Sequence, residues 1–420
     1  MTTNRLDLRL ALPLWAVLLA GCGGGDKAPA PAPNAPAPEA KALPEGKELA
    51  SEQQQAIEAF ARQVEATLGQ GDPVYMIQHM DLNAFIDKAT EGLGLNASDL
   101  ANVKMGLRSS LNLPQRFAEE VKRGGTFKLL RVREVNGHPT ALYRLVSNGG
   151  LNYIELYLKP AAEGQYQIYD CYPYIAGEMM TETCHRMMLQ AVAQNQQSLL
   201  GKLMQKDSDF VAALPTIQKL QAALGSQQFA QALQHYQQLP DSLKREKAYL
   251  LMRITAAMNT NDKEYLAAMQ DFRKFHPNDP AADLAASDGL ILTQKWDAAL
   301  AAMDRLEKSV QGDAYLTFLK ANINMLAERF EKARELAQKA VEAEPLLIEP
   351  HWTMVTIGLN SKNHAEVAEW LTRIRDKFQM TFKDLNSVAE YASFMKSEEG
   401  KKWMASQPPG VIEAPAPEGE

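Results

Sequence analysis

The chain has 420 residues, 46% hydrophobic and 23% charged, enough for two or three globular domains. Its net charge of −7 and the lack of any basic run argue against a nucleic-acid partner. No Walker motif, His-Glu-x-x-His, Gly-x-Ser-x-Gly or Cys-x-x-Cys pair occurs, so no enzyme class, metal or cofactor is indicated.

Arg5 and Arg9 precede an apolar run over residues 10–20. The run is too short to span a bilayer and suits a signal-peptide core. It ends in Leu19-Ala20-Gly21-Cys22, which resembles the lipobox of bacterial lipoproteins. The resemblance implies removal of residues 1–21, acylation of Cys22 and a mature chain outside the cytoplasm, tethered to a membrane. Gly23 stands where an aspartate would imply inner-membrane retention, so the resemblance implies outer-membrane sorting. An ordinary secretory signal containing a cysteine is the alternative. Residues 22–48 read as the linker, with alternating Ala and Pro from Ala28 to Pro33 and, after Asn34, from Ala35 to Pro38. Such a sequence favours extended polyproline geometry, and about twenty residues at roughly 3.1 Å each would reach about 60 Å.

Residues 49–205 read as an α+β domain. Ala56, Ile57, Phe60, Val64 and Leu68 fall on one face of a helix over 51–68. Helices over 73–80, 82–92, 97–111 and 114–123 follow, the third with capping residues from Asn96 to Asp99. Four strands come next, over 126–135, 138–147, 151–159 and 165–172, and the Asn136-Gly137 pair marks a hairpin. A long helix is expected over 177–204. Helices followed by a four-stranded antiparallel sheet resemble the NTF2-like or cystatin-like class in element order. Members of that class include enzymes and simple binders, so small-ligand binding or hydrolysis is the alternative function here.

Alternation places Tyr166, Ile168, Asp170 and Tyr172 on one face of the last strand, making Asp170 and Tyr172 candidate pocket residues. The competing role for Asp170 is structural, hydrogen-bonding backbone at the strand's end. Cys171 and Cys184 could form a disulfide outside the cytoplasm or remain two buried thiols.

The segment 206–380 repeats. An aromatic residue precedes alanine by three positions in Phe229/Ala232, Tyr265/Ala268, Trp296/Ala299 and Phe330/Ala333, with a degenerate Ala365/Ala368. Spacing near 34 residues suits stacked helical hairpins, each unable to bury its apolar face alone. With Ala321, Ala340 and Pro345, the fourth copy resembles the tetratricopeptide repeat, although the family's large aromatic early in the first helix is missing from most copies. A generic helical bundle is the alternative. The resemblance implies an all-α solenoid whose first helices line a groove for a protein partner, here in the periplasm or envelope. Mapping groove positions gives Arg253, Asp288, Asn322 and Thr353, with solvated surface as the competing reading. Residues 381–406 are expected to cap the array as a helix, and 407–420 to form a disordered tail.

Overall fold

The computed structural model describes residues 46–47, 49, 51–147, 150–161, 165–195, 208–277, 279–383, 385–408 and 412–413. Cys22, the Ala-Pro segment, residues 196–204 of the expected long helix and most of the tail lie outside them. The chain divides into two compact units, Met1–Gly289 and Leu290–Glu420.

In the first unit five helices precede the sheet: α1 (Ser51–Gly69), α2 (Val74–Gln78), α3 (Leu82–Thr90), α4 (Ala97–Ser110) and α5 (Leu113–Lys122). Ile57, Phe60, Ala61, Val64 and Leu68 form the buried stripe of α1. Asn96 caps α4 by accepting the Asp99 N–H at 2.9 Å. The strands β1 (Thr126–Val135), β2 (His138–Ser147), β3 (Gly150–Pro160) and β4 (Tyr166–Pro173) pair in sequence order, all antiparallel. Asn136 and Gly137 take φ of 55° and 79°, as a two-residue hairpin turn of matching twist requires. Ahead of α1, Lys47 exchanges two 2.8 Å backbone hydrogen bonds with Glu134, covering part of the outer edge of β1.

One sheet face carries Phe127, Leu129, Tyr143, Ile154, Leu156 and Leu158, which share a core with α1. The other face is polar but buried. Arg133 Nε donates to Glu155 Oε1 at 3.0 Å and its Nη2 donates to the Tyr174 hydroxyl at 3.0 Å. The Thr140 hydroxyl donates to the same carboxylate. A buried ion pair persists only when such extra bonds satisfy both ions.

The expected alternation on β4 is broken. Tyr157 stands opposite Asp170 and Leu158 opposite Ile168, so Tyr169 is an extra residue. A bulge of one residue moves the rest of the strand to the opposite face. Tyr166 and Ile168 therefore join the α1 core, while Asp170 and Tyr172 lie on the polar face.

After the sheet, α6 (Met180–Asn195) leads toward the repeats. These comprise α7 (Ser208–Gly225) and α8 (Phe229–Gln237), a short α9 (Asp241–Lys244), α10 (Lys247–Met258) and α11 (Asp262–Phe275), and then α12 (Pro280–Leu292) and α13 (Trp296–Val310). The second unit continues with α14 (Ala314–Leu326) and α15 (Phe330–Ala343), then α16 (Glu349–Asn360) and α17 (His364–Phe378). Ala232, Ala268, Ala299, Ala333 and Ala340 are fully buried, and Ala368 is half-buried. Phe229, Trp296 and Phe330 open their helices half-buried, and exposed Pro345 follows the end of α15. Tyr265 is buried and fills the space opened by Gly289, where an added Cβ would come within 2.0 Å of its ring.

Four hairpins share one turn. Gln227, Gln294, Glu328 and Lys362 take φ of 59°, 56°, 59° and 55°. In each, the next residue's N–H donates to the carbonyl five residues back at 2.8 Å: Gln228 to Ala223, Lys295 to Leu290, Arg329 to Asn324 and Asn363 to Gly358. This left-handed cap satisfies carbonyls that the helix end leaves open. The α10–α11 turn differs, Asn261 N–H bonding Ala257 O at 3.1 Å.

Within the first unit the sheet domain and the hairpins are joined. Lys247 donates to the Gly177 carbonyl and pairs with Asp279. Gly177 has φ of 65°, and a Cβ there would meet Lys247 Cδ at 2.5 Å.

The expected capping helix is in pieces. Two 3-10 turns, Leu385–Ser387 and Ala389–Tyr391, precede α18 (Ala392–Lys396) and α19 (Glu398–Ala405). The break is packed tight, since a Cβ on Gly400 would lie 2.0 Å from the Phe394 carbonyl oxygen. Phe394 and Trp403 join the core of Trp370, Leu371 and Ile374. Two residues of the expected tail, Ile412–Glu413 (β6), pair in parallel with β5 (Phe382–Lys383).

Candidate binding site

Asp170 is 1% exposed, and its carboxylate is fully engaged. It accepts from Lys88 Nζ at 3.0 Å, the Cys171 N–H at 2.9 Å, the Thr181 N–H at 3.2 Å and the Thr181 hydroxyl. A carboxylate with these partners anchors the start of α6 to β4 and leaves no lone pair for a substrate proton. Tyr172 is also buried, which raises its pKa well above the ordinary phenol value, with Asp279 adding to the shift. The two candidate pocket residues are thus packed into the polar face rather than displayed in a cavity.

Of the two alternatives for Cys171 and Cys184, the structure holds thiols, both buried. Burial pushes the Cys171 thiol well up and that of Cys184 to about 12, so neither is a nucleophile near neutral pH.

The expected groove residues separate. Asn322 and Thr353 are 1% and 4% exposed, and the Thr353 hydroxyl donates to Asn322 Oδ1 at 2.9 Å. They tie α14 to α16 internally and do not line an open groove. Asp288 lies on α12, but its side chain is outside the described set. Arg253 is the member that reaches a cavity.

That cavity, of about 350 Å³, lies in the first two hairpins. Its volume falls in the lower part of the usual ligand-pocket range of about 300–1,000 Å³. Leu233, Tyr236 and Gln237 contribute from α8; Asp241 and Lys244 from α9; Arg253 from α10; and Glu264, Asp271 and Phe275 from α11. Arg245 lies between α9 and α10. Most of the wall therefore comes from the second helices, α8 and α11, and only Arg253 from a first helix.

The α11 side follows from helical spacing. Glu264, Asp271 and Phe275 are seven and four residues apart, which puts them on one face. At the centre, Arg253 pairs with Asp271 and its guanidinium lies over the Tyr236 ring, 5.3 Å from the centroid. At one end the backbone is held twice. The Tyr236 hydroxyl donates to the Lys244 carbonyl and His276 Nε2–H donates to the Arg245 carbonyl, each at 2.8 Å. The Arg245 side chain turns over Phe275 at 5.5 Å. Burial holds the His276 pKa below its ordinary value, favouring the neutral ring that makes this bond. Lys244 leans 3.3 Å from Asp241.

Sequence reasoning found Arg253 but not the rest of this wall. The signal available was the stripe of Glu264, Asp271 and Phe275, acid and aromatic on one face of a second helix. No group of His, Cys, Asp and Glu among the described residues is placed to hold a metal, and no helix among them is long and apolar enough to cross a membrane.

No family model and no curated protein matches the chain. Solved structures that do match include the MamA RS-1 ArsTM double mutant and MamA 41-end from Desulfovibrio magneticus RS-1. Each is 21% identical over 40% of this chain, with 94% and 95% of the respective solved chains covered and a TM-score of 0.35. A likeness that loose carries no argument, and the assignment to paired, tetratricopeptide-like helices rests on the turns and buried alanines described above.

Proposed function

We propose that the chain is a membrane-tethered scaffold that holds a protein partner on its helical-hairpin array, facing the periplasm from the outer membrane. The observation that carries the binding half is the cavity of the first two hairpins, whose walls mix aromatic rings with both signs of charge. Such surfaces suit a folded or extended polypeptide better than a polyanion. The tether half is supported by the sequence at Leu19-Ala20-Gly21-Cys22 and by the Ala-Pro spacer after it. The sheet domain serves as a support, because Asp170 and Glu155 are buried and bonded and its two thiols are raised out of reach of chemistry.

Two measurements test this. Crosslinking in cells, followed by purification of the full chain and mass spectrometry, should recover the same envelope protein reproducibly. Recovery of no protein would overturn the scaffold. Palmitate labelling should mark the wild-type chain and leave Cys22→Ser unmarked; equal labelling of both, or of neither, would overturn the tether.

A further inference from the structure

We propose that the cavity between the second helices α8 and α11 is a polarity-reading peptide site, taking an extended segment with an acidic residue at one end, a basic residue at the other and an apolar side chain between them. This deepens the scaffold reading and rests on it.

The argument starts from what the wall leaves unpaired. Arg253 and Asp271 neutralise each other at the centre, and Lys244 is near Asp241. Among the described residues the side chains of Arg245 and Glu264 have no oppositely charged partner, although both line the cavity. They lie toward opposite ends. Glu264 is in the first turn of α11 and Phe275, which Arg245 covers, is its last residue. Eleven residues of helix separate Glu264 from Phe275, about 16 Å at about 1.5 Å per residue. An extended chain rises about 3.3 Å per residue, so about five residues span that distance. Leu233 lends the same cavity apolar surface, beside the Tyr236 ring that Arg253 covers.

The basic end is also held in place before any ligand arrives. Carbonyls of two adjacent residues, Lys244 and Arg245, are fixed by side chains from α8 and from the end of α11. Phe275 supports the guanidinium from below. A positioned cation loses less freedom on binding a carboxylate. Arg is suited to bidentate carboxylate recognition. A single carboxylate would leave Glu264 without a partner, and a single ammonium would leave Arg245 so; the two-ended peptide satisfies both. Most of the wall belongs to the second helices, with Arg253 its one contribution from a first helix, so the site differs from a groove lined by first helices alone.

The test uses the purified full chain and two labelled, end-blocked pentapeptides, Lys-Ala-Leu-Ala-Glu and Glu-Ala-Leu-Ala-Lys, read by fluorescence anisotropy up to millimolar peptide. One of the two should bind at least tenfold more tightly. Arg245→Ala and Glu264→Ala should each weaken it about tenfold, as loss of a charged hydrogen bond does. The charge-exchanged variant R245E/E264R should prefer the other peptide. Both side chains sit at the rim, and unchanged circular dichroism confirms folding. No saturable binding, no preference between the peptides, or a preference that R245E/E264R leaves as it was would overturn the assignment. Recovery of an envelope partner in cells alongside any of those results would leave the scaffold standing and remove only this site.

Discussion

The sheet domain and the hairpins place their charged side chains differently. On the polar face of the sheet, Arg133, Thr140, Glu155 and Asp170 are all but fully buried and linked to neighbours. In the hairpins the buried positions are mostly alanines and apolar residues, with neutral polar groups such as Asn322, His351 and Thr353 among them, and Arg245 and Glu264 are left without charged partners at the cavity rim. Charges that look reactive in the sheet are committed to its folding. In the hairpins Lys247 and Asp279 are paired where they meet the sheet domain, whereas Arg245 and Glu264 are not committed to packing. Residue type alone therefore points to the sheet domain, and the state of each charge's partners favours the hairpins as the proposed binding region.

This contrast can be broken most directly at Glu155. Removing it as Glu155→Ala leaves Arg133 buried without its counter-ion, a loss of about 3–5 kcal/mol. Urea denaturation should show that loss, whereas Asp241→Ala at the exposed cavity rim should stay within about 0.5 kcal/mol. Equal effects would mean that the sheet charges are no more structural than the rim charges. The hairpin side is tested by Ala333→Leu, which forces extra volume into a fully buried contact and should lower stability by about 1–3 kcal/mol in the same assay.

A smaller effect is expected with pH. His351 is fully buried, donates from Nδ1 to the Leu347 carbonyl at 2.9 Å and meets Trp370 and Phe378 edge-on. Burial holds its pKa below the ordinary 6.5. The neutral ring's contribution is complete above pH 6.5 and is lost as pH falls from there through the lower folded value. Thermal midpoints measured from pH 7.5 to 5 should fall more in the wild type than in His351→Gln. The smallest change is a gain. Glu328 holds a left-handed φ of 59° that costs a side-chain-bearing residue about 1–2 kcal/mol, partly offset by the unfolded-state freedom of glycine. Glu328→Gly should raise the melting temperature of the second unit's transition, and a fall would place the turn's stability in the glutamate side chain.

Local patterns in the sequence carried the architecture. The stripe from Ile57 to Leu68, the Asn136-Gly137 turn and the alanines at 232, 268, 299 and 333 each reflect a short-range rule that the structure obeys. What escaped was set by single insertions and by partners distant in sequence. One extra residue at Tyr169 moved Asp170 across the sheet, and no residue type in the run from Gln167 to Asp170 marks a bulge. Asn322 and Thr353 read as surface polar residues because the hydrogen bond that buries them together joins positions 31 apart. The recurrent left-handed turn sits on Gln, Gln, Glu and Lys, where glycine would have announced it. The cavity wall was hidden for a related reason: Asp241, Arg245, Glu264 and Asp271 read as ordinary solvated charges until the helices bring them around one space.

The paired backbone bonds between Lys47 and Glu134 bear on how the molecule carries load. Any pull on the segment ahead of residue 46 meets this two-bond clasp on the rim of β1 before it meets α1 or the hydrophobic interior. A pair of hydrogen bonds at a sheet's edge gives way far more readily than a sheet core, so under the proposed tether tension would be relieved by peeling a few residues free. The hairpins would then stay folded while their distance from the proposed attachment point adjusts.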